Sequence, residues 1–285
     1  MPNESHFQTL EQAASLYHSG NIELAYALVS PLATALTNKH AGGYNESNDE
    51  AVYYDFADGV SGFVYLALMR ESRKVRAVTE PFARTYALAG LCLMQMGRYA
   101  ESVEMFNRAV DWDPSSPSLR LNLAEACRAM GNIDGFDNCI KGAYPLITTN
   151  EDLALFHACK GLYLLTADKV DLAIASLQVS NHLQRSEFVA GHLLELTARY
   201  GAARVDIDEP TALGLLRAAG EPVIPPEITV KLLVECAEAA EKGGFDPIAY
   251  ESLRRASLWI DSDEVAARRD AAKAKLDAQD DSAEA

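Results

Sequence analysis

A chain of 285 residues that is 49% apolar holds enough hydrophobic material to bury a core along most of its length, which excludes general disorder. Its formal charge of −16 creates a field that repels phosphate backbones and anionic bilayers, so neither nucleic acid nor a membrane surface is an expected direct partner. Five cysteines, at positions 92, 127, 139, 159 and 236, form no CxxC pair; their setting reads as small buried hydrophobes in a reducing compartment.

The opening residues have neither a basic start nor an apolar run, and nowhere do eighteen apolar residues stand together. A cytoplasmic protein is therefore expected. Residues 7–35 carry two amphipathic stretches that meet at Gly20, with Ala13 and Leu16 before it and Ile22, Ala25 and Val29 after it. Residues 37–50, with two glycines among polar side chains, read as a loop. Residues 51–74 return to helical spacing at Tyr53, Phe56, Val60, Val64, Ala67 and Leu68, interrupted by Gly59 and Gly62 at an expected bend or close helix crossing. The densest basic cluster of this acidic chain, Arg70, Arg73, Lys74 and Arg76, follows. It reads either as an anchor for an acidic peptide or as cations placed at a helix C-terminus by the helix dipole.

Residues 83–116 form the clearest unit. Leu88, Leu91, Cys92, Met94 and Met96 precede Gly97, and Val103, Phe106, Ala109 and Val110 follow it, as two amphipathic helices would around a left-handed turn residue. Gly90 and Ala109 are small where helices must approach closely; Tyr86, Leu93, Tyr99 and Phe106 are large enough to fill the space between them. Asp113-Pro114 ends the second helix.

The unit recurs. Moving 34 residues on takes Ala89, Leu93, Gly97, Tyr99, Phe106 and Ala109 to Leu123, Cys127, Gly131, Ile133, Ile140 and Ala143. A further 37 residues takes Ala124, Ile133, Phe136, Ile140 and Ala143 to Gly161, Val170, Ala173, Leu177 and Ser180. The N-terminal pair sits 77 residues ahead of the same pattern, and Ala237, Gly244, Ala249, Leu253 and Ala256 lie 147 residues after it. Between these copies the spacing predicts a helix over 187–200, a turn over 201–209, a short helix over 210–219 and a rigid linker at 221–226. Asp246-Pro247 reads as an N-cap followed by proline at the first helical position. Residues 262–278 read as a polar capping helix, and 280–285 as a fraying acidic tail.

The unit at 83–116 resembles the tetratricopeptide repeat, whose pattern places an aromatic, Leu-Gly, Tyr, Ala, Phe and Pro at fixed offsets. Those positions here read Tyr86, Ala89-Gly90, Leu93, Ser102, Phe106 and Pro114. The resemblance implies an all-α fold, a right-handed superhelix of helical hairpins in one continuous array. Its expected parts are an N-terminal hairpin, loop and extra helix over 1–80, three core repeats over 81–185, and C-terminal helices with a further hairpin, cap and tail over 186–285.

In that family the first helix of each hairpin lines a groove that binds peptides or protein segments. The matching positions are Arg84, Ala87, Leu91, Met94 and Gln95; then Ser118, Leu121, Asn122, Glu125 and Arg128; then Leu155, Ala158, Leu162 and Leu165. The last, apolar set is either a partner surface or is covered by the helices after Glu187. The family members that clamp a chaperone carboxylate use Lys, Asn and Arg at positions that here read Ala87, Leu91, Asn122, Leu155 and Cys159. Only Asn122 fits, which rejects that specificity.

No phosphate-binding glycine loop, HExxH, calcium loop or dinucleotide fingerprint occurs, and the six histidines are scattered. No catalytic residue, metal ligand or cofactor is assigned. The leading reading is a non-catalytic adaptor or scaffold for a protein or peptide. A regulatory, peptide-sensing module acting through another chain is the alternative, and an enzyme on a helical scaffold comes last.

Overall fold

The computed structural model describes residues 4–283. In chain order they form α1 (Glu4–His18), α2 (Ile22–Ala41), β1 (Ala51–Tyr54), α3 (Gly59–Met69), β2 (Lys74–Ala77), α4 (Phe82–Gln95), α5 (Tyr99–Trp112), α6 (Pro117–Ala129) and α7 (Ile133–Ala143). After a 3-10 turn at Tyr144–Leu146 come α8 (Asn150–Thr166), α9 (Val170–Leu183), α10 (Glu187–Tyr200), α11 (Ala202–Val205), α12 (Glu209–Ala218), α13 (Glu227–Gly243), α14 (Asp246–Ala256) and α15 (Asp263–Ala283). The fold class is all-α, with one two-stranded sheet among the described residues.

Five helix pairs join through a single left-handed residue: Gly20 (φ 80°), Gly97 (71°), Gly131 (76°), Asp168 (55°) and Gly244 (72°). At each turn the following amide reaches back five residues, Asn21 to the Leu16 carbonyl (2.9 Å), Arg98 to Leu93 (2.8 Å), Asn132 to Cys127 (2.9 Å), Lys169 to Leu164 (2.9 Å) and Phe245 to Ala240 (2.9 Å). These bonds satisfy carbonyls that the helix end would otherwise leave open. Glycine adopts the conformation without a Cβ clash, and aspartate is among the few other residues that tolerate it. The four glycines aligned from sequence are thus the same bend, and Asp168, 37 residues after Gly131, makes it a fifth time.

Within a hairpin, a small residue on the first helix stands sixteen positions before a large one on the second. A Cβ built on Gly90 would lie 3.1 Å from the Phe106 ring, and one on Gly161 would lie 2.7 Å from Leu177 Cγ. Ala13 and Val29, and Ala237 and Leu253, hold the equivalent positions, all buried. Close approach also lets short hydroxyls bond to the facing backbone: Ser102 Oγ donates to the Gly90 carbonyl (2.8 Å), Ser176 Oγ to that of His157 (2.9 Å) and Ser180 Oγ to that of Ala154 (2.7 Å).

The chain divides into two compact units, Met1–Asp58 with Leu68–Cys139, and Gly59–Ala67 with Ile140–Ala285. In the first, Leu10 and Ala13 of α1 and Ala25, Val29, Leu32 and Leu36 of α2 pack with Phe82, Tyr86, Ala89 and Cys92 of α4. The Phe82 ring stacks on Trp112 at 4.0 Å between centroids. The buried carboxylate of Glu80 receives His6 and Lys39, tying α1 and α2 to the segment before α4. In the second unit, α10 lays Val189, Leu193 and Leu196 over Ala158 of α8 and Ile174 and Leu177 of α9, while Ala212 and Leu216 of α12 cover Ala175 and Val179. Arg255 of α14, almost fully buried, donates to Ser61 Oγ (3.0 Å) and Thr148 Oγ1 (3.1 Å).

Several expectations change. Helix α2 runs to Ala41, so the loop read over 37–50 begins only after that residue. Residues 51–74 are strand, helix and strand, not one helix. Β-branched and aromatic Val52, Tyr53 and Tyr54 pair in parallel with residues more than twenty positions away, Ala51 opposite Lys74 through Tyr54 opposite Ala77. Gly59 is the first residue of α3, against Ile248 Cδ1 at 3.4 Å from its built Cβ, so the close crossing is there and the bend is not. The turn at 201–209 includes the short helix α11, and Asp246 is the first residue of α14, with Phe245 in the cap position. Helix α15 continues to Ala283 through part of the expected tail; residues 284 and 285 lie outside the described ones.

The glycine contacts make a paired prediction. Gly161→Ala overpacks the α8–α9 crossing and is expected to destabilise by about 1–3 kcal/mol. Gly191→Ala, in mid-α10 with nothing near its built Cβ, is expected to stabilise by about 0.5–1 kcal/mol. Urea unfolding of both variants checks the opposite signs.

Candidate functional site

The family-derived surface positions fall into three rows, one on each of α4, α6 and α8. The first two belong to the first unit and the third to the second. On α4, Arg84 and Gln95 are exposed and Ala87, Leu91 and Met94 half-buried; on α6, Ser118, Asn122, Glu125 and Arg128 are half-buried. Leu121 is fully buried, so it serves the core and presents no ligand surface. Arg128 holds Glu125 through Nε (2.7 Å) and Nη2. On α8, Ala158 and Leu162 are buried and Leu155 and Leu165 half-buried. Ala158 and Leu165 pack in the cluster with Val189, Leu193 and Leu196, so α10 covers that part of the apolar row. The side chains that could meet a ligand are therefore mainly those of α4 and α6.

A cleft of about 430 Å³ opens at this end of the two helices. Arg84, Ala87 and Ser118 line it, joined by Asp55, Phe56, Ala57, Ala83, Asp113, Ser116 and Leu119. Sequence reading placed the first three on a binding face and missed the loop that closes the cleft, because residues 55–57 lay in a stretch read as helix. Asp113 was visible only as part of a helix stop.

Each wall has a local cause. Helix α6 starts where Ser116 Oγ accepts the Leu119 amide (3.3 Å), with Pro117 in its first turn. The Asp55 amide donates to the Trp112 carbonyl (2.8 Å), while its carboxylate accepts the Ala83 amide in the first turn of α4 (2.8 Å). Asp113 accepts from the Ala57 amide (3.0 Å), the Ser115 amide (3.1 Å) and Ser115 Oγ (2.6 Å). The two aspartates thus staple the loop after β1 to the start of α4 and to the α5–α6 junction. Phe56 stacks on Tyr54 at 4.8 Å. Arg84 supplies the positive charge and lies over the Phe7 ring at 5.3 Å.

Burial pushes the Asp55 carboxyl up to about 6, against the pull of the Ala83 amide and of Arg84, with Asp113 adding a smaller push upward. Burial also raises Asp113, opposed by its bonds from Ser115 and Ala57. The cleft therefore combines two desolvated carboxylates, a guanidinium, an aromatic wall and an apolar floor. Such a surface suits an amphipathic peptide side chain. Elsewhere, burial pushes the thiols of Cys92 and Cys139 up to about 11, which keeps them protonated and poor nucleophiles. Among the described residues no group of three or more His, Cys, Asp or Glu could hold a metal ion, and no helix is long and apolar enough to cross a membrane.

Residues 93–142 match a family model described as tetratricopeptide repeat. No curated protein matches the chain.

The aspartates also make a pH prediction. Because the folded pKa of Asp55 lies above its ordinary 3.8, the unfolded chain releases this proton first, and the folded state loses stability as pH rises from 3.8 to about 6. Asp55→Asn, which still accepts the Ala83 amide, is expected to gain stability relative to the unaltered protein across that window. Urea midpoints of both proteins below and above the window test it; a difference that stays constant or reverses would refute the assignment.

Proposed function

From the premise that this chain carries tetratricopeptide repeats, we propose that it is a non-catalytic adaptor or scaffold that holds a segment of another protein along α4 and α6. Such repeats generally mediate protein–protein interaction. The observation that carries the reading is the cleft bounded by Arg84, Ala87 and Ser118, three positions drawn from the repeat pattern alone.

The bound segment runs over Leu91 and Met94 of α4 beside Asn122, Glu125 and Arg128 of α6, and places a basic or amide-bearing side chain against Asp55 and Asp113. Leu91 and Met94 supply apolar contact; Asn122, Glu125 and Arg128 supply polar contacts that set register. Arg84 disfavours a second cation at the cleft mouth, so one positive group per ligand is the preferred match.

Affinity capture with mass spectrometry identifies the partner, and titration calorimetry then measures its affinity. Leu91→Glu and Ala87→Trp, the latter filling the cleft, are each expected to weaken binding by about tenfold or more, the loss of a contact worth over 1 kcal/mol. Arg128→Glu, which also sets two carboxylates side by side, acts in the same direction. Circular dichroism should remain unchanged. Full-strength binding by all three variants would reject the α4–α6 surface.

A further inference from the structure

The parallel pair β1–β2 leaves one edge closed and the other open. Outside β1, Asn48 Oδ1 accepts the amides of Glu50 and Ala51 (both 2.9 Å), Ser47 Oγ accepts that of Tyr53 (3.2 Å), and the Asp55 amide reaches Trp112. Side chains and a helix end thus take up the outer amides of β1. Strand β2 is different: all four of its residues are exposed.

Its ladder fixes which groups face outward. The amides of Lys74 and Val78 bond to the carbonyls of Glu50 (2.9 Å) and Tyr54 (3.1 Å), so by the alternation of a parallel ladder Lys74, Arg76 and Val78 turn their backbone toward β1. Val75 and Ala77 turn theirs away, and among the described residues no hydrogen bond meets those groups. The side chains sort the same way, with Lys74 and Arg76 on one face and Val75 and Ala77 on the other.

The charges around this edge are distinctive. Arg73 is occupied by Glu71, donating through Nε (2.8 Å) and Nη2. Arg70, Lys74 and Arg76 have no carboxylate partner among the described residues; Arg76 lies beside the Tyr53 ring, at 5.8 Å from its centroid. Arg70 directly follows the last residue of α3, but Lys74 and Arg76 are not helix-terminal cations, because they sit within a strand. In a chain of net charge −16 it is a local positive field along an open backbone edge.

We propose that the free edge of β2 is a strand-addition site for an extended acidic segment of a partner protein, distinct from the α4–α6 surface. The incoming strand exchanges backbone hydrogen bonds with Val75 and Ala77 and aligns acidic side chains with Lys74 and Arg76 on one face and apolar ones with Val75 on the other. Edge pairing with a second copy of this chain is opposed, since it would set the same cations against one another. Nucleic acid would satisfy the charges and leave the backbone groups unmet, so the open ladder selects a peptide.

The test uses the full chain and a labelled, capped peptide of alternating glutamate and valine, with an alternating lysine and valine peptide for comparison, at low salt. Binding of the acidic peptide with slowed amide exchange at Val75 and Ala77 is expected, and the lysine peptide should not bind. Val75→Pro removes one outward donor and no bond to β1, and should weaken binding by about fivefold or more. Lys74→Glu combined with Arg76→Glu should weaken it by about tenfold or more and reduce its salt dependence. Leu91→Glu should leave it unchanged, which separates this site from the adaptor surface. Unaltered exchange at Val75 and Ala77 in the unmodified protein at saturating peptide, equal binding of both peptides, or loss of binding only in Leu91→Glu would each overturn the proposal.

Discussion

The contact on which the hairpins depend is the one between a missing side chain and a large one. At Gly90 and Gly161 the facing helix comes so near that a methyl group would meet Phe106 or Leu177 inside normal contact distance. That nearness fixes the helix register and brings Ser102, Ser176 and Ser180 within reach of backbone carbonyls on the first helix. The left-handed turn supplies the other half of the constraint, because a bend closed by the same backbone bond returns the second helix in a repeatable relation to the first. Small residue, bend and large residue therefore act as one device.

Because that device consumes one face of each first helix, another face is left for something else. On α4 and α6 it carries a mixed set of half-buried side chains; on α8 it is turned to the protein's own use, as α10 packs over Ala158 and Leu165. The same face is thus partly open on α4 and α6, Leu121 apart, and partly covered on α8. A buried polar group on α8 follows a similar logic. Burial pushes the imidazole of His157 down to about 4, so it stays neutral beside Ser176 at 3.2 Å, a packing role in keeping with its surroundings.

The strand–helix–strand segment between the first two hairpins gives the molecule features that helices alone would lack. Its first strand leads into the loop whose Asp55 caps α4 from outside the helix, and whose Ala57 amide is held by Asp113. Its second strand lies in the open, carrying cations that have no carboxylate partner among the described residues. One insertion thereby borders two surfaces of opposite chemistry, an acid-lined cleft and a basic edge, suited to different segments of a partner.

Local pattern sufficed for everything set by neighbours a few residues apart. Glycines at 20, 97, 131 and 244 and the spacing of apolar residues identified the hairpins and their bends, because helix periodicity and left-handed turns are decided within about one or two turns of chain. Even Asp168 could be placed by alignment, though its residue type alone does not mark a bend. What the tertiary structure decided was pairing at a distance. Val52 to Tyr54 look equally fit for a helix stripe until Lys74 to Ala77 offer a backbone partner, and Leu121, Ala158 and Leu162 look like surface until other helices cover them. The elevated Asp55 carboxyl has the same origin, since it is raised by burial, and the bonds that hold this residue, to Ala83 of α4 and Trp112 of α5, leave no trace in residues 51–58 themselves.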